Sequence, residues 1–284
     1  MDIKTPFTVL LLLSFSSIFC QNIQKADSIC KKYIINGQSI TENKVTNSQK
    51  SGYWTYYYDD KGDIISNYTD ATDITLVYFE AGVPKDICIF CDLKAKPLGY
   101  GKYTEDTTWR EHGEFIWLDK NGRTISKEKY EYGKLNGKTF DYYKNGNIMI
   151  EYNYNIDTLK TMKTFREKGQ LFELREFSYQ KDTIVVVKQY RNDGSIIIYQ
   201  RQVNNLDDGD YIIYNNDGSI KMESKNIQGI RISEKKYHKN GNLIKETRCK
   251  KDGSDCTFKI YSKNGKLKKE TTGNYPGLKL KPVR

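Results

Sequence analysis

The chain has 284 residues, 37% of them hydrophobic, with 23 Tyr, 11 Phe, 5 Pro, 2 His and a formal net charge of +10. Two histidines exclude multi-histidine metal sites, and no run beyond the amino terminus approaches membrane-spanning length. A mean hydropathy of −0.73 with so many tyrosines points to half-buried strands with aromatic bodies and wet ends, the proline-free interval between Pro97 and Pro276 fitting a sheet ladder that needs its N–H groups.

Residues 1–20 have the shape of a secretory signal: Lys4 precedes an apolar run from Phe7 to Phe19, broken by Thr8, Ser14, Ser16 and Ser17. Cleavage after Cys20, or after Ser16 with Ser14 two places earlier, would deliver an exported product to the periplasm, cell surface or medium. Lipidation at Cys20 is the weaker alternative, because Phe19 stands where a small residue is wanted. Residues 21–50 are polar, with Ile23, Ala26, Ile29 and Cys30 at near-helical spacing, so a short helix and then a loop are expected. Within a degenerate stretch covering 51–112, Trp54 to Tyr58 and Thr75 to Phe79 read as strands. Ala81 to Gly113 has Gly and Pro punctuation but no clear unit, which fits either two decayed hairpins or an insertion.

A repeat dominates the remainder, regular over 113–273 and followed by a loose basic tail at 274–284. Turn glycines stand at Gly62, Gly122, Gly146, Gly169, Gly194, Gly218, Gly241 and Gly265, spaced by 24, 23, 25, 24, 23 and 24 residues from Gly122 onward. Four places before each comes Tyr58, Leu118, Tyr142, Phe165, Tyr190, Tyr214, Tyr237 or Tyr261. Asn-Gly and Asp-Gly tolerate the positive φ of a tight turn, so each unit of about 24 residues is read as one β-hairpin. The fold class is therefore all-β, an elongated stack of antiparallel hairpins whose interior is expected to be the column of Tyr and Phe rings.

Five cysteines follow Cys20. Asp252-Gly253 lies between Cys249 and Cys256, a turn that would place both thiols across the base of a loop and allow a disulfide. Cys88-Ile-Phe-Cys91 has redox-motif spacing without a strand-to-helix context, so Cys88 and Cys91 read as structural disulfide candidates, and Cys30 has either as its partner.

Gly137-Lys-Thr-Phe-Asp-Tyr-Tyr-Lys-Asn-Gly-Asn-Ile-Met-Ile-Glu151 and Lys235-Lys-Tyr-His-Lys-Asn-Gly-Asn-Leu-Ile-Lys-Glu246 resemble the bacterial variant of the MORN repeat, with its Gly-Lys-x-x-x-Tyr-Tyr-x-Asn-Gly-x-Leu-x-x-Glu pattern. That variant defines proteins labelled YwqK-type antitoxins, and the resemblance covers roughly Ser51 to Tyr275. It implies a hairpin stack with a binding or scaffold role and brings no catalytic residues. Many units lose the opening glycine, and a secretory signal departs from a cytoplasmic antitoxin.

Chemistry-bearing motifs are sparse: no phosphate loop, dinucleotide fingerprint or nucleophile elbow occurs. His112 and His238 read as surface strand residues, and Glu151, Glu223, Glu246 and Glu270 as cross-strand partners of Lys or Arg. From Ser219 onward 18 Lys and Arg stand against 6 Asp and Glu, and Lys266, Lys268 and Lys269 form a candidate basic contact patch. The expectation is an exported, non-enzymatic binding or scaffold module without cofactor or metal, monomeric, meeting a protein or an anionic envelope component. Peripheral membrane contact fits that reading and nucleic acid does not; the alternative is a toxin-neutralising protein of the YwqK type.

Overall fold

A computed structural model describes residues 21–66 and 68–274. Residues 1–20, on which the expectations of a secretory signal and of lipidation at Cys20 rest, and residues 275–284 of the basic tail lie outside the described residues. Residues 21–33 are helical, and nearly all the rest is antiparallel strand and turn, a succession of hairpins. Among the described residues no helix is long and apolar enough to cross a membrane. The chain divides into two compact units after Gly146, with Tyr154–Thr158 returning to the first.

In the first unit the strands Gly52–Tyr58, Asp73–Glu80, Cys88–Asp92, Pro97–Gly101, Gly113–Leu118, Thr124–Glu131 and Gly137–Tyr142 lie side by side in sequence order. Period-two alternation gives this sheet two apolar faces. Ile74, Leu76, Ile89, Cys91 and Ile116 face the helix, which contributes Ala26 and Cys30; Val77, Phe79, Cys88 and Phe115 face the other way. In the stretch from Ala81 to Gly113, Val83–Pro84 first folds back on the end of Asp73–Glu80, then comes the hairpin of Cys88–Asp92 with Pro97–Gly101, and then an excursion held by the isolated Tyr103–Glu111 bridge.

The same alternation decides the cysteines. Cys88 and Cys91 are three apart on one strand, so their sulfurs point to opposite faces and cannot meet. Cys91 bonds Cys30 and pins the helix to the sheet, while Cys88 stays a buried thiol whose ionisation burial pushes up. The expectation of a disulfide at Cys88 is corrected accordingly. Cys249 and Cys256 form a second disulfide across the loop that turns at Gly253. Two disulfides suit a non-reducing environment.

The second unit continues with Leu171–Tyr179, Thr183–Tyr190, Ile196–Val203, Leu206–Tyr214, Ile220–Ile227, Ile230–Tyr237, Leu243–Arg248, Cys256–Tyr261 and Leu267–Gly273, each paired with the strand before it. All eight repeat glycines have φ between 78° and 86°, and each donates its N–H to the carbonyl three residues back, as Gly194 does to Arg191. The residue ahead of the glycine, Asn or Asp in six units and Lys at Lys61 and Lys168, keeps negative φ, so the loop is a type I turn closed by glycine at a bulge. At the opposite hairpin ends stand turns in which both residues have positive φ: Tyr132-Gly133, Ile156-Asp157, Asn204-Asn205 and Gln228-Gly229. These are the two-residue type I′ form.

Little apolar surface is buried in the second unit. Phe165, Tyr190, Tyr214, Tyr237 and Tyr261 are only half-buried, because among the described residues no helix or second sheet of that unit covers them. The expected interior column of rings is therefore absent as a core. The deeply buried groups there include Glu173, Glu234, Glu246, Ser224 and Thr247. Polar cross-strand contacts take the place of a core: Glu223, Lys235, Glu246, Lys259 and Glu270 stand directly opposite one another across five strands. Lys235 Nζ is 3.1 Å from Glu223, Lys259 Nζ is 3.5 Å from Glu270, and Lys163 repeats the pattern with Glu151 at 3.0 Å. The repeat tyrosines serve this ladder. Tyr237 donates its hydroxyl to Glu223 at 2.6 Å and Tyr261 to Glu246 at 3.2 Å.

Two outcomes follow from this architecture. The Tyr237 hydroxyl holds the Glu223 carboxyl below its ordinary value; burial, the largest single influence on Glu246, pushes it up, but Arg248, the Tyr261 hydroxyl and Lys235 together outweigh it and the net direction is down. A depressed carboxyl contributes stability above its unfolded pKa, near 4.5, that is lost as pH falls through the folded value. Melting temperature should hold from neutrality to about pH 5 and then fall, and Glu223→Gln combined with Glu246→Gln should flatten that fall in a calorimetric pH series. The disulfides differ in reach, with sequence separations of 61 and 7. Loop-closure entropy then predicts a cost of about 4 kcal/mol for Cys30→Ser and about 2 kcal/mol for Cys249→Ser, measured by urea unfolding.

Candidate binding site

The sheet face of the first unit opposite the helix is aromatic. Alternation along Gly52–Tyr58 puts Trp54 and Tyr56 on it, Asp73–Glu80 adds Phe79, Cys88–Asp92 adds Phe90, and Gly113–Leu118 adds Phe115 and Trp117. Tyr103 and Trp109 come from the excursion, and Tyr130 from Thr124–Glu131. Phe90 and Trp117 stand 4.8 Å apart between centroids, Phe115 and Tyr130 5.3 Å, Tyr103 and Phe115 6.1 Å. Gly101 makes the packing feasible: a Cβ there would lie 2.4 Å from the Phe115 ring.

Part of this aromatic face lines a cleft of about 560 Å³, within the range of small-ligand sites. Phe90, Tyr103, Phe115, Trp117 and Tyr130 form its apolar wall, and Glu111 and Asp73 supply carboxylates. Glu128 fixes two of the rings, accepting from Trp117 Nε1 at 2.9 Å and from the Tyr130 hydroxyl at 3.1 Å. Burial pushes the Tyr103 and Tyr130 phenols well above their ordinary value, with smaller contributions from Cys88 and Tyr58 at Tyr103 and from Glu128 at Tyr130. Ring faces carry negative quadrupole charge, so this cleft suits a ligand with a cationic or C–H-rich face.

The helix side of the same sheet holds a wider hollow of about 920 Å³, with Tyr100 and Ile116 in its wall. Its rim is basic, from Lys102, Arg123, Lys127 and Lys144, but Arg123 is paired with Asp119 at 2.7 Å and Lys127 with Glu114 at 2.9 Å. The Tyr100 hydroxyl is buried there without a hydrogen-bond partner, its ionisation pushed up to about 12, chiefly by burial.

The residues singled out from the sequence fall elsewhere. Lys266 sits in the turn, Lys268 is the residue skipped where the register shifts, and Lys269 stands opposite Ile260. Lys268 and Lys269 thus lie on the exposed strand Leu267–Gly273, with Lys266 just before it. Neither histidine is the strand residue expected: His112, just before Gly113–Leu118, belongs to the rim of the wider hollow, 5.0 Å from the Tyr132 ring, and His238 opens the turn at Gly241. Among the described residues no group of three His, Cys, Asp or Glu is placed to hold a metal. The aromatic face was missed, although a signal existed: the chain's three tryptophans, Trp54, Trp109 and Trp117, all lie in the first 117 residues and all converge on it.

Comparison with known proteins identifies the repeat more than the site. The family described as MORN repeat variant matches residues 135–155 and 257–274, each match spanning one hairpin and its turn glycine. Among solved structures, a Tc holotoxin pore from Photorhabdus luminescens is 12% identical with a TM-score of 0.18, covering 78% of this chain, which spans 14% of that one. A porin-like protein from Bacteroides uniformis is 9% identical with a TM-score of 0.23, covering 76% of this chain and 86% of its own. At such scores neither bears on function. No curated protein matches the chain.

Burial of the cleft rings has a direct spectroscopic consequence. In an ultraviolet alkaline titration, tyrosines such as Tyr103 and Tyr130 should remain un-ionised beyond about pH 11, where free phenols have already titrated, and ionise only as the protein unfolds. Trp117→Ala should return part of that absorbance to the ordinary range.

Proposed function

We propose that this protein is an exported, non-enzymatic binding module in which the hairpin repeats act as a support and the aromatic cleft of the first unit receives the ligand. The observation that carries the reading is the cleft itself, a concave wall of five rings, two of them locked by Glu128, with carboxylates at its side. Export is supported by the signal-like amino terminus together with the two disulfides. The exposed lysines Lys266, Lys268 and Lys269 supply a second, salt-sensitive contact for a partner protein or an anionic envelope component, at the membrane periphery and without nucleic acid or cofactor. The protein acts as a monomer. A second reading, toxin neutralisation of the YwqK type, is favoured by the two MORN-variant matches.

Affinity capture from an envelope fraction tests the proposal, using the wild-type protein, Trp117→Ala and a triple Lys→Gln variant at Lys266, Lys268 and Lys269. Trp117→Ala, with its fold verified by circular dichroism, should lose most of the captured ligand. The triple variant should keep its melting temperature, since exposed charges contribute little, and lose only the fraction that salt also removes. Capture unaffected by Trp117→Ala would overturn the cleft assignment. Recovery from the cytoplasm with all thiols free would overturn export, and capture of a single toxic protein that the chain inactivates would establish the second reading.

A further inference from the structure

Beside the cleft, four rings surround one ammonium group. Lys50 Nζ lies 4.0 Å from the ring centroid of Trp109, 4.7 Å from Trp54 and 5.2 Å from both Tyr56 and Phe79, and it donates to the Tyr56 hydroxyl at 2.7 Å. The rings also pack on one another, with Phe79 and Trp109 at 4.6 Å, Tyr56 and Trp109 at 5.5 Å, and Trp54 and Phe79 at 6.3 Å. Two neighbouring strands and the excursion supply the walls, and Phe79 is fully buried between them. The positions of Trp54, Tyr56 and Phe79 follow from the pairing of their two strands, and Trp109 packs on Tyr56 and Phe79 from the excursion.

Lys50 itself comes from a small exposed hairpin, Val45–Thr46 with Gln49–Lys50, outside the main sheet. Its backbone is anchored, accepting from Gly82 N–H, but the ammonium is at the end of a four-carbon stem that can swing to water. A primary ammonium is a poor fit for such a box. It carries three N–H donors and gives up hydration that ring faces do not replace, whereas a quaternary ammonium has no donors to satisfy and presents methyl groups to every ring.

We propose that Trp54, Tyr56, Phe79 and Trp109 form a binding site for a trimethylammonium group, and that Lys50 is a resident occupant which the ligand displaces. The site is distinct from the cleft and does not depend on what the cleft binds. Because the free protein holds its own cation there, affinity is reduced by the fraction of time the lysine spends outside.

Tryptophan fluorescence titration with choline and with its uncharged carbon isostere, 3,3-dimethylbutan-1-ol, tests this. Wild-type protein should bind choline weakly and saturably, Lys50→Ala about tenfold more tightly if the cage is free about one tenth of the time in the wild type, and Trp109→Ala not at all. Binding of the isostere as tight as choline, or no saturable choline response in Lys50→Ala, overturns the proposal and leaves Lys50 as a packing latch. Carbon-13 NMR of the wild-type protein keeps the test open if Lys50→Ala does not fold: choline should move the Lys50 Cε signal out of its ring-shifted position, and an unmoved signal at saturating choline overturns displacement. Phosphatidylcholine vesicles in a parallel arm distinguish a lipid headgroup from a free choline compound as the source of the group.

Discussion

A sheet that no helix or second sheet of its own unit covers must be held together by what passes between neighbouring strands, and the described residues of the second unit are built under that constraint. Its backbone ladder supplies the regular term, but half-buried side chains give up only part of their apolar surface, so the hydrophobic contribution per residue is small. The compensation is lateral. Charges alternate from strand to strand along Glu223, Lys235, Glu246, Lys259 and Glu270, and the repeat tyrosines cap that row with hydroxyl donors. Each pair is worth only about 0.2–1 kcal/mol, but the period multiplies it, as in any array whose stability is a sum over neighbours.

The first unit solves the opposite problem. It buries both faces, one beneath the helix and one beneath rings from the excursion, and a disulfide fastens the helix in place. Two-sided burial holds side chains in fixed positions, which is what a recognition surface requires. The cleft rings are held by Glu128 and by the close approach of Phe115 to Gly101. Recognition is thus concentrated where packing is dense, and the repeats, whose rings remain wet, rely on lateral contacts instead.

Register irregularity is common to the two kinds of construction. In one unit after another, at Leu118, Phe165, Tyr190, Tyr214, Tyr237 and Tyr261, the pairing slips by one residue at the repeat position before the turn. Such bulges raise local twist and redirect the following side chains. Residues that straight alternation would place on one face, such as Lys266 and Lys268, consequently occupy a turn and an unpaired position.

Local features were legible in the chain of residues alone. Glycine spacing marked the turns because only glycine adopts the left-handed conformation there without steric cost, the near-helical spacing of Ile23, Ala26, Ile29 and Cys30 marked the helix, and Cys249 and Cys256 could be paired because a turn of their own joins them. The type I′ turns left no such mark at Ile156-Asp157, where strand pairing forces a β-branched residue into positive φ. The rest was settled by folding. Cys30 found Cys91 across a separation of 61 residues because the helix lies on the face that Cys91, and not Cys88, presents. Trp54, Phe79, Trp109 and Trp117 met because distant segments share one face of one sheet. Contacts between residues far apart in the chain depend on which faces are covered and by what, and a periodic pattern of turns specifies hairpins without specifying their covering.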